Sequence, residues 1–307
     1  MKSLGLVSML VAMLAQQMAF RSSIDVVTVD VSARDGNKVV TGLTAADFEV
    51  LDNGVKQEIA DVTYGKLPID ITVALDVSYS VTGAQLARLR VAVGQMMRDL
   101  GKDDRLRLIL FNERVRRVVD FTSDIKAVED AIMHASAGGA TAIFDTLSVA
   151  LASSVHPERR QLIVLFTDGG DSMSFTDPRV LMDIARRSNV TVSAVLPGSA
   201  PVVGTVTTTT RGGASSSPVR VNLPPAVVEN MNVYRQIATE TGGVIVPLAA
   251  RTDVSETFAK ALDEFRSSYV LRFSPKGAGA KGFHELTVSV PERSKLTIRA
   301  RKGYWVQ

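Results

Sequence analysis

The chain has 307 residues, of which 46% are hydrophobic and 22% are charged, which favours two globular domains, or one large elaborated domain, and excludes wholesale disorder. It contains no cysteine and only three scattered histidines, so disulfides, cysteine nucleophiles and zinc–thiolate sites are excluded and a histidine-rich metal site is not expected. The formal net charge of +3 is too small to predict a nucleic-acid partner.

The first element is an apolar run from Leu4 to Ala15 that follows a single lysine. The run is short for a membrane span and has the length of the hydrophobic region of a secretory signal. We therefore expect residues 1–20 to be a signal peptide and the mature protein to be exported, either periplasmic or secreted; a buried N-terminal helix is the alternative. No later segment approaches the ~20 consecutive apolar residues of a membrane span, so none is expected in the mature chain.

Short alternating segments follow over residues 21–66. Valines alternate with polar residues and are interrupted by Asp35-Gly36 and Asn53-Gly54, a pattern that predicts strands joined by tight turns. Residues 271–307 return to the same pattern, with proline and glycine at the turns. Because neither segment alone has enough strands to bury a core, we expect the two to pack together as one small β-rich domain.

The pattern between these segments, over residues 67–270, is different. It opens with the strand-like run IDITVALD, apolar on both faces, and then alternates helical and strand-like segments. Such alternation predicts an α/β domain with a doubly wound, mostly parallel sheet of six strands flanked by helices. Residues 198–228 are rich in threonine, serine, glycine and proline, which predicts a flexible insert at the edge where the strands end.

Three polar loops follow strands of this predicted sheet or open a helix. The first is Asp76-Val77-Ser78-Tyr79-Ser80, the second holds Thr141 after two glycines, and the third is Thr167-Asp168-Gly169-Gly170-Asp171. If the strand order reverses between the first and fourth strands, the loops are neighbours at the edge where such sheets bind ligands. Their oxygen donors suit Mg²⁺, Mn²⁺ or Ca²⁺. The predicted metal-site residues are Asp76, Ser78, Ser80, Thr141 and Asp168.

Three of these five donors are hydroxyls, which are neutral ligands and leave most of a cation's charge unquenched. If the two carboxylates act largely through water, the cation keeps an open position that a carboxylate of another protein can fill. The donor set therefore predicts a metal-bridged contact between proteins. Ser80 and Thr141 have a simpler alternative interpretation, because a hydroxyl at a strand–helix junction often only caps the helix.

The three-part pattern resembles the von Willebrand factor type A domain with its metal-ion-dependent adhesion site, over about residues 68–270. The resemblance implies that Ser78, Ser80 and Thr141 bind the metal directly, and that Asp76 and Asp168 act through water or behind the ligands. One departure is Ala140, which stands where many members have glycine before the threonine. The flanking segments are similar to a group of exported bacterial proteins abundant in acidobacteria.

Residues beside the predicted ligands in the same loops are candidates for contact with the partner: Tyr79, Gly139, Gly169 and Asp171. Asp171 is also a candidate for the outer shell of the metal.

The sequence lacks the common nucleotide-binding and hydrolase motifs, and no histidine can be placed beside a serine as a base. We therefore expect an exported, non-enzymatic adhesion or scaffold module that binds an Asp or Glu carboxylate of another protein through the cation. One alternative is a metal-dependent hydrolase acting on phosphate esters with the same loops. The other is a structural component of the cell envelope with a vestigial metal site.

Overall fold

The computed structural model describes residues 26–306 except 66, 82, 154, 155, 157, 198–201, 211, 212, 222, 223, 249–252 and 280, and it describes no side chains between 197 and 223. The predicted signal peptide, residues 1–20, lies outside the described residues. None of the helices in the described ranges is long and apolar enough to cross a membrane.

The N-terminal segment consists of short strands. The strands are β1 (Val27–Asp35), β2 (Lys38–Val39), β3 (Glu49–Asp52), β4 (Val55–Gln57) and β5 (Ile59–Tyr64). The predicted turn at Asn53-Gly54 joins β3 to β4, and both residues have positive φ angles, 49° and 81°. Asparagine and glycine tolerate this left-handed backbone, which explains why the dipeptide marks the hairpin.

The middle of the chain alternates strands and helices as predicted. Its first half contains β6 (Ile69–Asp76), α1 (Ala84–Arg98), β7 (Arg105–Phe111), β8 (Val115–Thr122), α2 (Ile125–Met133), α3 (Ile143–Ala152) and β9 (Arg160–Phe166). Its second half contains α4 (Pro178–Arg187), β10 (Thr191–Pro197), β11 (Val202–Thr210), β12 (Gly213–Val221), α5 (Pro225–Thr241), β13 (Ile245–Leu248) and α6 (Val254–Arg266).

Six of these strands form one sheet in the order β13-β10-β9-β6-β7-β8, in which only the edge strand β8 is antiparallel to its neighbour. This confirms the predicted mostly parallel six-stranded sheet. The first and fourth strands, β6 and β9, are adjacent, and the chain order reverses between them. All eight residues of β6 are buried, since one core forms under α1, α2 and α6 and a second under α3, α4 and α5.

The C-terminal strands interleave with the N-terminal ones, which confirms the predicted joint β-rich domain. They are β14 (Tyr269–Phe273), β15 (Gly282–Ser289), β16 (Thr297–Ala300) and β17 (Gly303–Val306). One sheet has the order β16-β1-β14-β5, with β2 also paired to β1, and the other has the order β17-β15-β3-β4. Strand β14 begins at Tyr269, two residues before the predicted boundary at 271, because its side chains complete the core of this β-sandwich.

The predicted insert at 198–228 contains regular backbone structure: β11 and β12 pair antiparallel in a two-stranded ribbon. Strand β11 consists almost entirely of threonine and valine, and such β-branched residues favour extended backbone, whereas β12 contains two valines and no threonine. The predicted insert extends to residue 228, but the structure already starts α5 at Pro225.

The β-sandwich packs against the amino-terminal ends of the parallel strands. Arg160, the first residue of β9, donates from Nε to Asp30 Oδ1 in β1 at 2.6 Å. Arg301 donates from Nη1 to Asn189 Oδ1, just before β10, at 2.8 Å. The carboxyl edge of the sheet, where the three polar loops lie, is therefore on the opposite side from the sandwich.

Candidate metal site

Asp76 connects the first and third loops. It is the last residue of β6 and is fully buried, with Oδ1 accepting from Ser78 N at 2.9 Å and Oδ2 accepting from the Thr167 hydroxyl at 2.7 Å. Thr167 follows β9, the strand beside β6, so the pairing of these two strands brings the loops together. The carboxylate of Asp76 is thus held by both oxygens in one orientation.

The charge of Asp76 is poorly compensated. Burial raises the pKa of its carboxyl group, the bonds from Ser78 and Thr167 only partly offset this, and the charge of Asp168 raises it further. Among the ion pairs of the described residues, none includes Asp76 or Asp168. A buried carboxylate without a cationic partner is unfavourable, and a bound cation would supply the missing compensation.

The Ser78 and Ser80 hydroxyl oxygens are 3.0 Å apart, with Ser78 buried and Ser80 exposed. The capping alternative is wrong for Ser80: α1 begins at Ala84, its N-cap residue is Gly83, and no side chain caps it. The two hydroxyls therefore bond to each other at the end of β6 instead of to the helix, which leaves lone pairs for a ligand.

The second loop is tied to the first through its backbone. Gly138 N donates to Val77 O at 2.8 Å, and Tyr79 N donates to Gly139 O at 3.0 Å. Gly139 has a φ angle of +83°, and the carboxylate of Glu113 lies where a β-carbon on Gly139 would be. The positive φ angle favours glycine at this position, whereas the end of the flexible Glu113 side chain can move aside.

Thr141 is buried in the same loop, and its hydroxyl forms no hydrogen bond with any described residue. Its backbone is fixed: the carbonyl accepts from Ser172 N and Met173 N at 2.9 and 3.0 Å. The capping alternative is wrong here too, because the N-cap residue of α3 is Ala142. The loops that carry all five predicted ligands are therefore adjacent, and three hydroxyls are free of helix capping.

Asp168 and Gly169 begin the third loop. Asp168 is half-buried, and its Oδ1 accepts from Gly170 N at 3.3 Å. Gly169 is buried with a φ angle of +95°, and a β-carbon there would lie 3.0 Å from Met231 Cγ on α5. A packing role explains this glycine, and its predicted contact with a partner stays a prediction.

Asp171 has a structural role that the sequence analysis did not predict. Its Oδ2 accepts from Ile143 N at 2.7 Å and from Phe144 N at 3.0 Å, so it caps α3 from a distant part of the chain. The same oxygen accepts from the Ser174 hydroxyl at 2.6 Å. Since both backbone donors lie 27 or more residues away in sequence, no local pattern marks this cap. Its predicted roles in partner contact and in the outer shell stay predictions.

Asp145, in the first turn of α3, was also missed. It accepts from Phe175 N at 3.1 Å, from Thr176 N at 2.8 Å and from the Thr176 hydroxyl at 2.6 Å. Burial acts to raise its pKa, but these bonds outweigh it and lower the pKa. Asp145 and Asp171 together attach the third loop to the start of α3.

Tyr234 lies on α5 beneath the third loop. Its side chain is buried against Phe144, with ring centroids 5.8 Å apart, and its hydroxyl has no hydrogen-bond partner in the described part of the chain. Burial raises its pKa, and the charges of Asp171, Asp76 and Asp168 raise it further. A buried hydroxyl without a hydrogen-bond partner is unusual in proteins.

The donor set fits a hard divalent cation. Within the described ranges, no group of three or more histidine and carboxylate side chains could hold a metal ion. The candidate site depends instead on hydroxyl oxygens together with two carboxylates, and oxygen ligands of this kind suit Mg²⁺, Mn²⁺ or Ca²⁺. The three hydroxyls, none of which caps a helix, and the uncompensated charge of Asp76 therefore fit such a cation.

Comparisons with known proteins agree with this architecture. Residues 70–205 match the family model of the von Willebrand factor type A domain. Among curated proteins, the inter-alpha-trypsin inhibitor heavy chain H4 of Sus scrofa is 24% identical over 165 residues, which cover 50% of this chain and 18% of the relative. The chain thus spans less than a fifth of the length of that relative.

Solved structures to which the chain is similar include von Willebrand factor type A from Catenulispora acidiphila, 12% identical with a TM-score of 0.48 over 92% of this chain and 73% of that one. An aerotolerance-related membrane protein from Bacteroides fragilis NCTC 9343 is 19% identical with a TM-score of 0.46. That match covers 64% of this chain and 98% of that one.

Proposed function

Because the chain contains a von Willebrand factor type A domain, we propose that it is an exported, non-enzymatic module that binds another protein through a divalent cation at the carboxyl edge of its sheet. Domains of this family are typically interaction and adhesion modules. The cation is Mg²⁺, Mn²⁺ or Ca²⁺, and the group it holds is an Asp or Glu side chain of the partner. The observation that carries this proposal is the buried carboxylate of Asp76, which has no cationic partner in the described residues.

Each residue of the site has a role in this proposal. Ser78, Ser80 and Thr141 supply neutral oxygen ligands, and Asp76 and Asp168 supply the negative charge that balances the cation. When bound, the cation provides an electrophilic position for a carboxylate. The protein fixes the site in advance: Asp76 is hydrogen-bonded through both oxygens, and the Thr141 loop is bonded to the backbone around Ser78.

A catalytic role for the same loops receives no support from their composition. None of the three histidines lies in the loops, and an acid–base pair elsewhere is remote: His284 Nδ1 and Asp52 Oδ1, 2.8 Å apart, are buried in the β-sandwich beside Tyr304. That sandwich packs on the amino edge of the sheet, away from the candidate site. Binding without chemistry is therefore the function that these loops favour.

Calorimetric titration of the whole chain with MgCl₂, MnCl₂ and CaCl₂ tests the cation. Ser78→Ala removes one proposed ligand and should weaken cation binding by at least about tenfold. Ser148→Ala is the control, because it removes a buried serine hydroxyl in α3 that lies outside the three loops and has no partner among the described residues. It should bind cations like the wild type.

The same titrations separate the proposal from its alternatives. A wild-type chain that binds none of the three cations would refute the proposal and favour a vestigial site. Equal cation affinity in the wild type and Ser78→Ala would place the cation elsewhere. Turnover of phosphate esters that depends on Mg²⁺ or Mn²⁺ would favour the hydrolase. N-terminal sequencing of the secreted chain tests export, with a mature terminus expected near residue 21.

A further inference from the structure

Three large apolar side chains are exposed on the loops of the candidate site. Phe175 is 96% exposed, Tyr79 is 75% exposed and Met173 is 49% exposed. Single exposed apolar residues are common on protein surfaces, but three large ones, one of them nearly fully exposed, on loops that are bonded to one segment are not. We name Tyr79, Met173 and Phe175 the apolar rim.

The backbone that carries the apolar rim is held by hydrogen bonds. Phe175 N donates to Asp145 Oδ2 at 3.1 Å, and the residues on either side are also bonded: Ser174 N to Asp171 Oδ1 at 3.2 Å and Thr176 N to Asp145 Oδ1 at 2.8 Å. A side chain on a fixed backbone binds without the entropic cost of ordering its loop. Phe175 therefore has the properties of a preorganised binding anchor.

Two members of the apolar rim are attached through their backbones to the loop of the candidate metal site that carries Thr141. Met173 N donates to Thr141 O at 3.0 Å, and Tyr79 N donates to Gly139 O at 3.0 Å. Both acceptors belong to the second loop, and Tyr79 lies between Ser78 and Ser80. A partner that reaches the cation therefore approaches these exposed side chains at the same time.

The charges of the site limit what can cover the apolar rim. Glu113 and Asp171 lie against or in the same loops and are not the carboxylates that balance the cation, so an anionic lipid surface would be repelled. A second copy docked rim to rim would bring the same carboxylates together and would also be unfavourable. An acidic partner is attracted only at the cation.

We propose that the apolar rim docks a segment of a partner protein in which an Asp or Glu residue has large apolar neighbours. This inference rests on the proposed function, since the acidic side chain binds the cation while its neighbours pack on Phe175, Met173 and Tyr79. Aromatic and methionine side chains are enriched in interfaces, and anchors of this kind contribute most of the binding energy. The rim thus sets which acidic segments are selected.

A displayed library of random peptides tests the proposal. The whole chain is immobilised, peptides are bound in MgCl₂ and eluted with EDTA, and a selected peptide is then measured against variants. The selected sequences should combine an acidic residue with leucine, isoleucine, methionine or aromatic neighbours. Phe175→Ala should weaken the affinity for the selected peptide by roughly tenfold or more and leave the Mg²⁺ affinity unchanged. Val91→Ala, at a site on α1 that is 64% exposed, is the matched control and should have no effect.

Two kinds of failure are distinguishable. Selected peptides that need Mg²⁺ but bind Phe175→Ala as tightly as the wild type would refute docking on the apolar rim. They would still support the contact with the cation. Acidic sequences without apolar neighbours, or no Phe175-dependent binder at all, would also refute that docking. Peptides that survive EDTA but require Phe175 would instead refute the cation contact of the proposed function. If sedimentation shows a dimer of the wild type that the Phe175→Ala variant does not form, the proposal is wrong, because the apolar rim then binds a second copy of the chain and not a partner segment.

Discussion

Two aspartates at opposite ends of β6 have nearly identical burial and opposite surroundings. Asp70 is 1% exposed, and Asp76 is 0% exposed. Asp70 accepts from Arg105 at 2.9 and 2.7 Å and from Arg159 at 2.6 Å. Burial acts to raise its pKa, but these bonds outweigh it and the pKa is lowered. At Asp76 only hydroxyl and amide donors oppose the effect of burial, and the pKa is raised.

The comparison extends to the two edges of the sheet. At the amino edge carboxylates are paired with arginines, as in Asp30 with Arg160 and Asp104 with Arg266, at 2.6 and 2.7 Å. The first pair attaches the α/β domain to the β-sandwich, and the second attaches the end of α6 to the residue before β7 within the α/β domain. At the carboxyl edge the negative charge of the buried Asp76 carboxylate has no cationic partner among the described residues. The ion pairs of the amino edge stabilise the protein. The buried charge of Asp76 at the carboxyl edge is unfavourable, and a bound cation would offset it.

The largest expected effect is on the amino edge. Asp70→Asn leaves Arg159, which is only 14% exposed, without its charged partner, and should lower the free energy of unfolding by about 3 kcal/mol. Urea unfolding measures the change. Asp61→Asn is the control, because its pair with Arg272 lies at the surface and should contribute less than about 1 kcal/mol. Equal effects of the two substitutions would contradict the contrast between buried and surface pairs.

The pH dependence of the same substitution has a defined sign. Because the folded pKa of Asp70 lies below its ordinary value of 3.8, its stabilising contribution is complete above that pH and declines as the pH falls toward the folded pKa. The difference in unfolding free energy between the wild type and Asp70→Asn should thus be constant from neutral pH to about pH 4 and shrink below it. A difference that shrinks above pH 5 would show that the charge of Asp70 is not what stabilises the protein.

At the carboxyl edge the corresponding substitution should act in the opposite direction. Asp76→Asn keeps the size of the side chain and removes a buried, uncompensated charge, so stability in EDTA should rise by about 1 kcal/mol. Thermal unfolding with and without MgCl₂ measures this together with the cation effect, which should disappear in the variant. If Asp76→Asn lowered stability in EDTA as much as Asp70→Asn does, the contrast between a compensated charge at Asp70 and an uncompensated charge at Asp76 would be wrong.

The smallest expected effect is at Tyr234. Tyr234→Phe removes a buried hydroxyl that has no partner in the described residues, so the free energy of unfolding in EDTA should stay the same or rise by less than about 1 kcal/mol. Chemical denaturation measures this change. A decrease of about 2 kcal/mol would mean that the hydroxyl has a hydrogen-bond partner in solution and is not an unsatisfied group.

Most of the fold, and the loops that carry the candidate ligands, could be predicted from the sequence because their signals are local. The apolar residues of β6 and β9 mark buried strands, and Ser78 and Ser80 follow one of them directly. The predicted reversal of strand order between β6 and β9 then places the loops at one edge. In contrast, Asp171 and Asp145 act through bonds to residues about 27 to 31 positions away, which no local pattern contains.

The sequence by itself determined the alternation of strands and helices, the pairing of the two terminal β segments and the candidate ligands, since side-chain periodicity and short motifs are properties of neighbouring residues. Only the tertiary structure decided which acidic groups are neutralised within the fold. Asp70 and Asp76 belong to the same apolar strand pattern, and their difference comes from arginines on β7 and before β9 that reach one end of β6 and not the other. It also decided that Phe175 is presented to solvent, because the bonds that hold its loop come from α3.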